Sequence, residues 1–140
     1  MFLFDEADFV QTQNLPLSEL WYFLPFGYLL TILIETPILL LGLSSKLTFK
    51  QKLLCGGWLT ACTYPIVVLV LPTIFLGEPR WLYLLVAETF APVGECLIFW
   101  LAFRGRDVNW VRSFIVIIVA NLTSFGVGEV LNCYKWFGLF

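Results

Sequence analysis

Histidine is absent from the 140 residues, and charge is scarce, with Lys, Arg, Asp and Glu together making up 13% of the chain. Without imidazole the chain lacks the commonest protein ligand for haem, zinc and chlorophyll-like cofactors, so no haem or zinc site of its own is expected. Cysteine is thin as well: four residues, none in a Cys-x-x-Cys pair. Cys55, Cys62, Cys96 and Cys133 therefore read as small apolar fillers, with no disulfide framework and no thiolate metal site. The chain also lacks the nucleophile–base pairs and histidine-held metals that hydrolases and intramembrane proteases need, and it is read as a non-enzyme. A net charge of −2 and basic segments of three residues each exclude nucleic acid as a partner.

Basic residues vanish altogether from four stretches, Leu20 to Leu43, Leu53 to Leu76, Trp81 to Phe103 and Ser113 to Leu131. What fills them is apolar: 60% of the chain is hydrophobic and its mean hydropathy is +0.89. Each stretch is long enough to cross a hydrocarbon layer of about 30 Å at about 1.5 Å per helical residue. A water-soluble bundle would need a polar face on every helix, which these segments do not supply. The expected fold is an all-α integral membrane protein, an up-down bundle of four transmembrane helices with proline kinks and short loops. It is expected to form a single membrane domain over residues 1–140, with helices near 20–43, 53–76, 81–103 and 113–131.

The opening residues 1–19 carry Asp5, Glu6, Asp8 and Glu19 with no basic residue, unlike a cleavable signal. Their mixture of acids with Phe2, Leu3, Phe4 and Phe9 predicts a segment lying on the outer surface. Gly77-Glu78-Pro79-Arg80 supplies the chemistry of a tight turn and makes the second and third spans antiparallel neighbours. Lys46, Lys50 and Lys52 precede the second span, and Arg104, Arg106 and Arg112 precede the fourth. The positive-inside rule therefore places loops 44–52 and 104–112 in the cytoplasm and both termini on the other side of a multi-pass protein. The aromatic residues agree, with Trp21, Tyr22, Trp81, Tyr83, Tyr134 and Trp136 at the outer boundary and Trp100 and Trp110 near the inner one.

Against this apolar background the carboxylates Glu35, Glu88, Glu95 and Glu129 fall inside the spans without a basic residue beside them. An acid in hydrocarbon costs about 2.5 to 3.5 kcal/mol on insertion scales, so it turns toward the bundle interior and carries function; the bland alternatives are an interhelical hydrogen bond or, for Glu129, snorkelling to the interface. Helical spacing puts Gly27, Thr31 and Glu35 on one face, Glu88, Pro92 and Glu95 on another, and Asn121, Phe125 and Glu129 on a third. The second span adds Gly56, Thr60, Thr63 and Tyr64. Pro37, Pro65 and Pro92 lie inside three spans and free the carbonyls of Leu33, Ala61 and Glu88, which beside carboxylates would suit a cation site or a proton relay across the bilayer.

Two readings follow. In the first, the protein handles protons or a hard cation in the manner of a transporter or channel. Glu35, Glu88, Glu95 and Glu129 then bind the ion, Asn121 and Tyr64 are their uncharged partners, and Glu88 and Glu95 are the metal ligands if there is a metal. In the second, the chain is a non-catalytic subunit of a larger membrane complex. Lipid is a partner in either case. Ala120, Ser124 and Gly128 form a small-residue seam that would let two copies pair as a homo-oligomer.

Overall fold

The computed structural model describes residues 17–133. Helix α1 runs over Leu17–Gly42 and α2 over Phe49–Pro65; α2 passes through a π-helical stretch, Ile66–Val70, into a single turn, α3, at Leu71–Ile74. Helices α4 (Arg80–Phe103) and α5 (Trp110–Cys133) complete the chain. There is no strand among the described residues. Four helices are long and apolar enough to cross a membrane, over Leu24–Gly42, Phe49–Ile74, Arg80–Phe103 and Trp110–Leu131.

The helix starts lie earlier than the distribution of basic residues implies. Thr48 opens α2 with a capping box: its hydroxyl accepts from the Gln51 amide at 3.3 Å, and the Gln51 side chain accepts from the Thr48 amide at 3.0 Å. These bonds satisfy backbone groups that a first helical turn otherwise leaves open. Asn109 does similar work before α5, its side-chain oxygen accepting from the Arg112 amide at 3.1 Å. Lys50, Lys52 and Arg112 thus sit on first helical turns, not in loops, and the connections shorten accordingly. Leu17 to Glu19 likewise belong to α1 and not to a surface segment; the rest of that expected segment, residues 1–16, lies outside the described residues, as do Tyr134 and Trp136. In the turn before α4, Gly77 takes φ +88°, a left-handed conformation that a side chain would resist.

Packing closes the four spans into a ring. α1 lies against α2 and α5, and α4 lies against the same two helices from the other side. Each short connection reverses the chain direction, so neighbours round the ring are antiparallel. Close approach depends on small residues. A Cβ on Gly42 would come within 2.6 Å of the Val116 methyls, and one on Gly56 would collide with the Thr36 side chain.

The distribution of polarity is the reverse of that in a soluble domain. Leu33, Leu41, Leu54 and Val111 are more than two-thirds exposed, whereas Glu35 and Glu95 are 1% and 2% exposed. Such a surface is compatible with a hydrocarbon solvent.

Toward the loops at residues 43–48 and 104–109, called here the basic end, the interior is a dry cluster that includes Leu39, Leu43, Cys55, Leu59, Phe99 and Ile117. Phe99 packs on Phe103 with ring centroids 4.8 Å apart and meets Trp110 edge-on at 6.0 Å. Trp110 is therefore part of the core packing as well as a boundary residue. Two cations from neighbouring helices finish α1: Arg112 Nε donates to the Gly42 carbonyl at 2.7 Å and Lys52 Nζ to the Leu40 carbonyl at 3.4 Å. Both favour the negative end of the helix dipole. An ion pair between the exposed Lys46 and Asp107 ties the two loops together.

Candidate functional site

Glu35 on α1 and Glu95 on α4 come from helices on opposite sides of the ring, and both are reached by one turn of α5. The Ser124 hydroxyl donates to Glu35 Oε1 at 2.5 Å, and Asn121 Nδ2 donates to Glu95 Oε2 at 2.7 Å. From α2, Thr60 donates to Glu35 Oε2 and Thr63 to Glu95 Oε1, each at 2.9 Å. All four carboxyl oxygens therefore meet a donor, and all four spans contribute. The reason lies in the local sequence. Thr60 and Thr63 are three apart on α2, as are Asn121 and Ser124 on α5, and residues three apart share a helix face.

Each hydroxyl in this network faces a second acceptor. Thr60 Oγ1 lies 3.0 Å from the Gly56 carbonyl, Thr63 Oγ1 3.2 Å from that of Leu59, and Ser124 Oγ 3.0 Å from that of Asn121. A hydroxyl has one proton to donate. With both carboxyls ionised, three hydroxyl protons stand before six acceptors. A proton on a carboxyl reverses one of these bonds, since the carboxyl then donates to the hydroxyl and the hydroxyl turns to its own carbonyl. The arrangement thus accommodates an added proton by rotating a bond rather than by moving a helix. Asn121 behaves differently: its two amide hydrogens are engaged by Glu95 Oε2 and by the Ile117 carbonyl at 3.0 Å. A proton on Glu95 Oε1 finds an acceptor in the Thr63 hydroxyl, whereas the amide hydrogen facing Oε2 cannot accept one, so Oε1 is the better placed oxygen to carry it.

Above the pair, away from the basic end, a cavity of about 210 Å³ opens between the helices. Gly27, Thr31, Pro92, Phe125 and Tyr64 line it together with Glu35, Glu88, Glu95, Glu129 and Asn121. The faces inferred from spacing are therefore brought together, and Tyr64 stands on the cavity wall with its ring 6.0 Å from that of Tyr28. Gly56 departs from its expected place, packing on Thr36 instead of lining the cavity.

Several expectations need correction. Glu129 is paired with Arg80, which grips it with bonds of 2.8 and 2.9 Å across the α4–α5 contact near the cavity mouth. A basic residue does accompany this acid, and Glu129 does not simply snorkel. Glu88 lines the cavity wall, half-buried, and has no hydrogen-bond or ion-pair partner among the described residues. The acid that shares a turn of α5 with Glu95 is Glu35, whereas Glu88 stands seven residues, about 10 Å, up the same helix. The Ala120, Ser124 and Gly128 seam faces inward: Ala120 is buried, Ser124 bonds Glu35 and Gly128 lines the cavity. This seam is used within one bundle. Of the prolines, Pro92 is buried on the cavity, but Pro37, Leu33 and Ala61 are exposed on the outside, so two of the three freed carbonyls belong to outward faces. Tyr83 turns inward and donates to the Val67 carbonyl at 3.1 Å.

Among the described residues no three His, Cys, Asp or Glu side chains gather as a metal-binding group. Spacing revealed the acids and named Asn121 as an uncharged partner, but did not single out the other residues that hold them. Thr60 and Thr63 were legible only as a polar seam, Ser124 only as a small residue, and Arg80 only as a loop charge. The usable signal was the recurrence of a hydroxyl or amide every three or four residues along the faces opposite the acids.

Among the described residues the fold and site define an all-helical bundle with four helices long and apolar enough to span a membrane and two buried carboxyls, each held by hydroxyl or amide donors, on the wall of an interior cavity. No protein-family model, curated protein or solved structure matches the chain.

Proposed function

We propose that this chain is a multi-pass membrane protein that takes up and releases protons at the Glu35–Glu95 pair, exchanging them with one side of the membrane through the cavity. The observation that carries this reading is the meeting of two buried carboxyls from different helices on one cavity, three of their four oxygens facing a hydroxyl whose bond an added proton can reverse and the fourth held by the Asn121 amide. A proton fits this site better than a hard cation. A metal ion needs several oxygens turned toward it, and here the surrounding groups present hydrogens to the carboxyls. With the basic loops on the cytoplasmic side, as the positive-inside rule has it, the cavity opens to the opposite side.

The closed apolar half argues for a carrier that changes conformation, not for an open pore. Leu39, Phe99 and Ile117 are at most 1% exposed and stand between the acids and the basic end. Purified protein in liposomes containing a pH-sensitive dye, given an imposed pH gradient, tests the proposal. Wild type should pass protons, and Glu95→Gln and Glu35→Gln should each reduce the flux by at least about tenfold while keeping the helical circular dichroism; tenfold corresponds to about 1.4 kcal/mol in a barrier. Undiminished flux in both variants would sink it.

A second reading, a subunit of a larger membrane assembly, is favoured by Trp58. This residue is 59% exposed and lies nine residues into α2, about 14 Å from the start of the helix. That depth is away from the interfacial belt that tryptophan prefers in lipid, and a partner helix would cover it.

A further inference from the structure

We infer that the cavity takes a small organic ammonium ion with an apolar substituent, which exchanges for the proton of the Glu35–Glu95 pair; this rests on the proton-loading reading above. The wall chemistry is what points beyond the proton. Leu30, Val67, Ala91, Leu122 and Phe125 line the space between mouth and acids. A hydrated inorganic cation passing these side chains would lose water without gaining ligands. An ammonium bearing a hydrocarbon group lays that group on the wall and carries its charge to the floor.

Size agrees. An apolar cavity of about 150 Å³ is enough to bind benzene, so a cavity of about 210 Å³ admits one ring with a short aminated arm. Tyr64 and Phe125 contribute ring surfaces toward which a cation is drawn. Glu88, on the wall without a partner among the described residues, adds negative potential along the way. At the floor each carboxyl oxygen accepts one hydrogen bond from the protein and has a further lone pair to offer, which an ammonium with three N–H donors can use.

The exchange balances in charge and protons. The ammonium arrives with its own three hydrogens and keeps them. One carboxyl O–H bond breaks, its proton leaves through the cavity to water at the mouth, and the resulting carboxylate pairs with the cation. One positive charge leaves as the proton and one arrives as the ammonium, so the charge of the site is the same before and after. Asn121 donates to Glu95 Oε2, so when the proton sits on Glu95 the oxygen that loses it is Oε1, beside Thr63.

The test uses the full chain in lipid nanodiscs in weakly buffered solution near neutral pH, titrated with benzylammonium chloride, benzyl alcohol or sodium chloride. Benzylammonium should bind saturably, release about one proton per ligand, and bind at least about tenfold more tightly than the neutral alcohol, a difference of about 1.4 kcal/mol. Glu95→Gln should remove the proton release. If that variant does not fold, the comparison of ligands on wild type decides by itself. Equal binding of the alcohol, or equal proton release by sodium at the same concentration, overturns the ammonium assignment. Failure of benzylammonium to bind overturns it too, and leaves the proton reading standing if wild-type liposomes still show carboxylate-dependent flux. If that flux is absent as well, both readings fall.

Discussion

Toward the basic end the bundle is filled by Leu39, Leu43, Leu59, Phe99 and Ile117, with no acid inside, whereas toward Gly77 the same four helices part around a cavity lined by Glu35, Glu88, Glu95 and Glu129. The contrast extends to the backbone. In the filled half α2 is a regular helix opened by a capping box; in the cavity half it passes Pro65 into a π-helical stretch, a local change of hydrogen bonding that often marks functional positions. Close packing and regular hydrogen bonding make one half rigid. The other half gives up both around its polar groups, and it is there that a ligand or a proton has room to act.

The sharpest way to break this contrast is to loosen the filled half. Phe99→Ala removes a fully buried ring against Phe103 and Trp110 and should cost about 3 to 5 kcal/mol, read as lost thermal stability in detergent. The effect should far exceed that of any single cavity-wall truncation. Where the halves meet, Gly56→Ala forces α1 and α2 apart against Thr36 and should destabilise by about 1 to 3 kcal/mol. Gly57→Ala, with open space at its Cβ, should be neutral or slightly stabilising in the same assay.

In the cavity half, Arg80→Gln leaves Glu129 unpaired with its side chain only 25% exposed. A loss of about 1 to 2 kcal/mol is expected, and the double change Arg80→Gln/Glu129→Gln should recover most of it. No recovery would mean that Arg80 acts through something other than this pair. Smallest of all, Lys46→Ala should change stability by under about 0.5 kcal/mol, because both members of the Lys46–Asp107 pair are exposed and screened. A larger loss would show that the filled half depends on its loops as well as on its core.

The number of spans, their antiparallel order and the polar face of each helix were legible from hydropathy and helical period, because both depend on residues within a single helix. The relation between faces was not. Spacing alone cannot distinguish a seam that meets another copy from one that meets α1, and it leaves both open for Ser124, which bonds Glu35. The choice between Glu88 and Glu35 as the neighbour of Glu95 likewise turns on how α1 and α4 are rotated about α5. Helix starts were misplaced for a different reason. A criterion that excludes Lys and Arg from a span cuts off a first turn such as Phe49 to Lys52, where basic side chains reach back from the apolar layer, while Thr48 and Gln51 carried the correct signal in plain view.

The two cations at the end of α1 bear on how the chain is assembled. The carbonyls of Leu40 and Gly42 emerge where α1 runs out of its own amides, and their hydrogens come from Lys52 in α2 and from Arg112 in α5. The end of α1 is therefore finished by side chains of α2 and α5. Until Arg112 is in place the Gly42 carbonyl lacks this donor, so full closure of the bundle waits for α5 to dock.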